Sequence, residues 1–311
     1  MEQPKLFSEV WDLYSSLRSS YLSPDTRRTL HHTRKMLIEF VGDKPADQLT
    51  GVDLLVLVRR ALESGRMPAG INVNLRCLHA FGRWCAKQKL LDRDNPFAGV
   101  DLLKVPATPI RYLNHEEFRR IYNAESKPLL GQIYLVALVT GQRCGDVLRL
   151  RWEMIDLQRA VIRLVNKKTN RLNTIPIHSM LMEVLQKMGL KSEGPLFVGR
   201  RGEKLTVSYA SHQFLKAARR ARVDGVTFHT LRKTFASWLA LSGVGLHEIQ
   251  KLLGHSSVTL TEKYYASLCA SELHGTIARL QPVTGSLPNL VSGPQPNADM
   301  TVHRVRPMMI R

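Results

Sequence analysis

The chain has 311 residues, enough for two domains with a core each, and carries 45 Lys and Arg against 26 Asp and Glu, a formal charge of +19. An apolar share of 44% with 15 prolines and 20 glycines is ordinary globular composition and argues against wholesale disorder. No run of about 18 apolar residues offers a membrane-spanning helix, and the first residues, MEQPKLFSEVWDLYSSLRSS, lack the basic-then-apolar plan of a secretory signal.

In chain order, residues 5–92 show helical periodicity. DTRRTLHHTRKMLIEFV at 25–41 sets Leu30, Met36, Leu37, Phe40 and Val41 on one side and basic residues on the other. A second helix is predicted from Val52 to Glu63, and a third near 71–89 with the stripe Leu75, Leu78, Phe81, Gly82 and Cys85. These helices make a small bundle expected to carry Arg27, Arg28, Arg34, Lys35, Arg76 and Arg83 outward. The stretch 94–113 holds Pro96, Pro106 and Pro109 without periodicity, so a linker is expected, centred on 101–111.

NHEE at 114–117 is a capping box that opens a second domain, and an apolar helix from Pro128 to Thr140 should stop at Gly141. AVIRLV at 160–165 and LNTIPI at 172–177 read as two strands around a polar turn. Helical patterns return at 179–188, 206–222, 231–242, 246–253 and 258–268, and 281–311 reads as a flexible tail. The predicted fold class is mostly α with a small β-sheet, an α+β catalytic domain preceded by an all-α helical bundle. The boundaries are 1–100 for the bundle, 101–111 for the linker, 112–280 for the catalytic domain and 281–311 for the tail. Because the bundle begins so near residue 1, no separate arm-binding domain is expected before it.

The charge is concentrated. Residues 101–225 hold 22 basic and 11 acidic side chains, whereas 1–100 hold 15 and 11, and 226–311 hold 8 and 4. Two readings stand: a generally basic solvated surface, or a groove for a phosphate backbone. Cys77, Cys85, Cys144 and Cys269 form no CxxC pair, which fits neither a disulfide framework nor a zinc site and points to a reducing cytoplasm.

Several motifs fail on inspection. Gly65 and Gly70 have phosphate-loop spacing, but Ile71 and Asn72 stand where Lys and Ser or Thr should follow. His247-Glu248 opens like a zinc-protease motif, but Lys251 occupies the second histidine position. His31 and His32 are adjacent and so point to different helix faces. No carboxylate cluster offers a two-metal nuclease centre, so phosphate chemistry would have to run on side chains alone.

Those side chains are present. TGQRCGDVLRLRW at 140–152 places Arg143 after a glycine turn and Asp146 one helical turn later. Lys168 lies in the hairpin turn. FHTLRKTFASWL at 228–239 sets His229 and Arg232 three apart on one face, and LLGHSSVTLTEKYY at 252–265 sets His255 after Gly254 with Tyr264 nine residues on. On these residues the chain resembles the tyrosine recombinases, the phage-integrase group especially. The resemblance covers roughly 110–270 with motifs. Residues 5–95 match only in helical character and position. The family usually carries Glu where Asp146 sits; either carboxylate can order an arginine.

The resemblance implies a site-specific recombinase that cleaves and rejoins DNA through a covalent 3′-phosphotyrosyl intermediate. It implies Arg143, Arg232 and His255 as donors to the phosphate, and Tyr264 as nucleophile. His229 would manage the tyrosine proton and Lys168 serve as general acid, with Asp146 in support. Lys167 is a neighbour of Lys168, and the eight-residue interval to Pro176 selects Lys168. No metal and no cofactor are implied. The implied partners are double-stranded recombination sites, three further copies of the chain in a homotetramer on DNA, and accessory DNA-bending proteins; no membrane is among them. Leu268, Leu273, Ile277 and Leu280 form an apolar set that would either dock on a neighbouring copy or pack at home. Two other readings are a type IB topoisomerase, which relaxes DNA without exchanging strands, and a non-catalytic DNA-binding regulator.

Overall fold

The computed structural model describes residues 5–90, 95–106, 109–166 and 171–254, and the chain divides into two compact units, Met1–Pro109 and Ile110–Arg311. Lys168, His255, Tyr264, the helix expected at 258–268, the apolar set from Leu268 to Leu280 and the expected tail lie outside the described residues. Among the described residues no helix is long and apolar enough to cross a membrane.

The first unit is built on α1 (Phe7–Arg18), α2 (Pro24–Phe40), α3 (Gly51–Glu63) and α4 (Pro68–Lys87). Proline at the first turn starts α2 and α4, where its missing N–H has no helical partner to lose. Asp53 caps α3 by accepting from the Thr50 N–H at 2.8 Å. The core is aromatic: Phe7, Trp11 and Tyr14 of α1 surround Phe81 of α4 with ring centroids 5.4, 4.8 and 5.5 Å away. The expected stripe of α4 is buried, and Thr33 of α2 donates to Asn74 of α4 at 2.9 Å inside it.

The proline-bearing segment after α4 is anchored at its start. Phe97 and Val100 are buried in the first unit's core. Asn72 and Leu103 exchange two hydrogen bonds, the amide donating to the Leu103 carbonyl at 2.9 Å and the Leu103 N–H to its Oδ1 at 2.8 Å. A side-chain amide substitutes for a strand here, a device with no sequence period. At the far end, Arg111 forks onto Glu117 at 2.6 and 3.0 Å within the second unit.

The second unit contains α5 (His115–Asn123), α6 (Pro128–Thr140), α7 (Cys144–Val147), β1 (Ile155–Asp156), β2 (Val161–Asn166), β3 (Arg171–Pro176), α8 (Ser179–Met188), α9 (Val207–Arg220), α10 (Phe228–Leu241) and α11 (Leu246–Leu253). The predicted capping box is present: the Asn114 N–H donates to Glu117 at 2.9 Å and the Glu117 N–H to Asn114 at 2.8 Å. α6 is buried on nearly every side and forms the centre of the core, packed against α8, α9 and α10. β2 pairs antiparallel with both β1 and β3, in the order β1-β2-β3, with Ile162 opposite Ile175 and Leu164 opposite Asn173. β1 is absent from the sequence reading because two residues carry no period. The mostly α class with a small sheet agrees with the expectation.

One boundary differs in a way that matters. α10 begins at Phe228 rather than 231, because the Thr227 N–H donates to the Thr230 hydroxyl at 2.9 Å and caps the helix earlier. His229 therefore lies in the first turn of the helix that carries Arg232.

Candidate active site

Three chain segments converge around the start of α10. α6 ends at Gly141, which takes the left-handed conformation at φ +65°. A Cβ at that position would stand 2.3 Å from the Phe235 ring of α10, so glycine answers both a backbone need and a close approach. Gly141→Ala is expected to destabilise the protein by about 1–2 kcal/mol for the backbone and about 1–3 kcal/mol more for displacing the ring. Thermal denaturation would read this as a lower Tm.

The turn then delivers Arg143, half-exposed, with the buried Asp146 carboxylate 4.0 Å from its guanidinium. Asp146 bonds more closely to Arg149, a contact the sequence reading missed. The shorter aspartate is thus shared between two arginines. Cys144 is next to Arg143, but burial pushes its thiol up to about 11, so it stays protonated at neutral pH.

Arg232 is 3% exposed, and its placement is the central feature of the site. Nη1 donates to the Gly141 carbonyl at 2.9 Å and Nη2 to the Leu253 carbonyl at 2.8 Å. One guanidinium fork therefore joins the arginine turn to the end of α11. Gly254 closes α11 in the left-handed conformation at φ +64°, directly before His255. Gln142, 4% exposed, and Asn173 of β3 both donate to the Leu252 carbonyl, at 3.0 and 3.1 Å.

His229 is solvent-exposed by surface area, but its neighbours pack closely enough to lower its pKa below the ordinary 6.5. Partial desolvation is the largest cause, followed by the charges of Arg232, Lys233 and Arg143. Its seat in the first turn of α10 acts in the same direction. Between that lowered value and 6.5 the unfolded chain binds more protons at this residue than the folded one. Stability from this group therefore rises with pH across the window and is lost as pH falls through it.

The structure thus brings Arg143, Asp146, His229 and Arg232 together on one side of the second unit; Lys168, His255 and Tyr264 lie outside the described residues. Among the described residues no three His, Cys, Asp or Glu side chains gather as metal ligands. The six predicted basic residues of the first unit are not equivalent. Arg27, Lys35, Arg76 and Arg83 are exposed. Arg28 is exposed but paired with Asp25 at 2.7 Å. Arg34 is half-buried, held by Asp12 at 3.0 and 3.1 Å instead of pointing outward.

The fold and these motifs define a phage-integrase-type catalytic domain. Residues 111–270 match the family model described as the phage integrase family, and the chain belongs to that family. It is 30% identical over 175 residues to the shufflon-specific DNA recombinase of Escherichia coli, covering 55% of this chain and 44% of that protein. It is 29% identical over 219 residues to the integrase of Salmonella phage P22, covering 65% of this chain and 54% of that protein. The chain therefore spans about half the length of these two relatives. Tyrosine recombinase XerC of Bacillus pumilus matches over 280 residues at 27% identity, 83% of this chain and 90% of that one. Among solved structures, a lambda integrase dimer (residues 75–356) bound to a COC′ core site superposes with a TM-score of 0.72 at 23% identity. It covers 82% of this chain and 97% of that chain, a likeness of fold.

Proposed function

We propose that this chain is a site-specific DNA recombinase that cleaves and rejoins duplex DNA through a 3′-phosphotyrosyl intermediate on Tyr264. The observation that carries the reading is the buried Arg232 fork, which holds the Arg143 turn and the approach to His255 in one rigid unit. Relatives named as recombinases and integrases favour strand exchange over relaxation.

The chemistry follows from charge. The Tyr264 oxygen attacks phosphorus in line, a tyrosine–phosphate bond forms and the bond to the 5′-oxygen breaks. His229, held neutral by its surroundings, takes the phenolic proton, while Lys168 protonates the departing 5′-oxygen. Arg143, Arg232 and His255 stabilise the charge that builds on the non-bridging oxygens, and Asp146 orders Arg143. A 5′-hydroxyl of the partner strand reverses the step and restores Tyr264. One phosphodiester is exchanged for another, so no nucleotide cofactor is needed.

A neutral base with a depressed pKa keeps working under mild acid. The acid limb of the kcat/KM profile is expected below pH 6.5 and should disappear as a single-proton limb in His229→Gln. A limb centred at or above 6.5 would remove His229 from this role.

Partners follow from the same reading: duplex recombination sites, a homotetramer assembled on them, accessory DNA-bending proteins, and a place with the chromosomal DNA in the cytoplasm. A lambda integrase tetramer bound to a Holliday junction shares the fold at a TM-score of 0.72, which supports the tetramer. The exposed Arg27, Lys35, Arg76 and Arg83 are assigned to phosphate contact. For the full chain the slope of log K against log salt is expected to be about −6 to −10, and each of the four replaced by alanine should make it shallower by about 0.9. An unchanged slope in the quadruple variant would mean that these four residues do not meet DNA.

The reading itself is tested with a nicked duplex that traps the covalent species. The wild-type chain is expected to yield a protein–DNA adduct stable to denaturant. Binding without adduct would favour a non-catalytic regulator, and adduct with relaxation but no strand exchange a topoisomerase.

A further inference from the structure

The geometry points to Gln142 and Asn173 as positioning residues that clamp the Leu252 carbonyl and through it fix the arginine turn, the hairpin and the chain entering His255 in one register. This rests on the recombinase reading above and adds two residues to it.

Gln142 is buried, and its amide has two protons to give. One goes to the Thr140 carbonyl and one to the Leu252 carbonyl, both at 3.0 Å. Asn173 donates to the same Leu252 carbonyl at 3.1 Å. The donors stand 110 and 79 residues from Leu252 in the chain. A carbonyl oxygen has two lone pairs, so both bonds fit on one atom. The next carbonyl, Leu253, accepts from Arg232 at 2.8 Å. Any displacement of Leu252 is therefore passed to the arginine fork.

The residue types are informative because apolar ones would suit these positions locally. On the inward face of the hairpin Ile162, Leu164 and Ile175 are buried, and Asn173, opposite Leu164, interrupts that row. A half-buried amide in that row gains from a bond to replace lost water, and its bond leads to the end of α11. Asn173 lies five residues from Lys168, so the strand leading out of the lysine turn is tied to the segment leading into His255. Gln142 does the same for Arg143, its immediate neighbour. The clamp carries no charge, so it adjusts geometry without changing the attraction for DNA.

The test uses the full-length chain with Gln142→Met and Asn173→Leu, which keep size and apolar packing but lose the donor. Gln142→Glu and Asn173→Asp serve as isosteric variants that set a carboxylate against the carbonyl. Single-turnover adduct formation on a nicked duplex should fall about 10–100-fold in each, with duplex affinity and salt slope unchanged in the two neutral variants, Gln142→Met and Asn173→Leu. A duplex with sulfur at the bridging 5′ position departs without a proton, so it should restore most of the rate in Asn173→Leu and little in Gln142→Met. Wild-type rates in all four variants, or a loss of affinity equal to the loss of rate in Gln142→Met and Asn173→Leu, would overturn the clamp and leave the recombinase reading standing. A wild-type chain that forms no adduct would instead overturn that reading itself.

Discussion

Tyr264→Phe is expected to bind duplex DNA with wild-type affinity and to form no covalent adduct at all. The substitution removes one oxygen and retains the ring, so packing and charge are unchanged while the atom that must bond to phosphorus is gone. A phenol is suited to this step because its pKa of about 10 makes it a competent nucleophile and also a competent leaving group when the strand is rejoined. An aliphatic hydroxyl would attack but depart poorly. Tyr265 is the informative control, since in the helix expected from the sequence at 258–268 adjacent side chains would point about 100° apart. Tyr265→Phe should retain adduct formation on the nicked duplex. If Tyr265→Phe loses the adduct and Tyr264→Phe keeps it, the nucleophile is Tyr265.

The parts of this site that sequence could reveal are those with a period or a fixed spacing. The α4 stripe at Leu75, Leu78, Phe81 and Cys85 is buried because a helix repeats its face, and Gly141 ends α6 because a left-handed residue after an apolar helix has few alternatives. Arg143 is legible from its glycine turn, and His229 and Arg232 from their interval of three, because each of these signals is local to its own segment. What remained hidden depends on contacts between distant segments. Gln142 and Asn173 meet on one carbonyl across 110 and 79 residues, and nothing local marks them as partners. Asn173 did leave a trace, a polar residue at an inward strand position. Arg34 was misplaced for the same reason: its helix face predicts solvent, and Asp12 of α1, 22 residues away, draws it in. Leu103 joins the first unit through the Asn72 amide, which a proline-rich stretch does not advertise.

Arg232→Met is expected to lower the rate of adduct formation by about 10²–10³-fold, equivalent to about 2.7–4 kcal/mol of barrier, while changing stability far less. Three effects compete. Methionine loses the fixed guanidinium, whose fork binds a phosphate in a way no point charge reproduces. It also removes the bonds that Gly141 and Leu253 carbonyls accept, each worth about 1–3 kcal/mol when a buried acceptor is left unpaired. Against this, the substitution removes a buried cation from beside Arg143, Lys233 and His229, relieving desolvation and like-charge repulsion. The last two oppose each other in stability, but nothing offsets the first in catalysis. The electrostatic part has its own signature. Arg232 is the largest charge-based cause of the lowered His229 pKa, so Arg232→Met should raise it, while Lys233 and Arg143 keep some of the depression. Imidazole titration by NMR reads this directly and needs no DNA. Arg232→Lys keeps the charge and should leave His229 close to its wild-type pKa, yet cleave as poorly as the methionine variant because one ammonium cannot hold both carbonyls and the phosphate. If Arg232→Lys retained wild-type cleavage, charge alone would suffice and the fork that joins Gly141 to Leu253 would have no part in the rate.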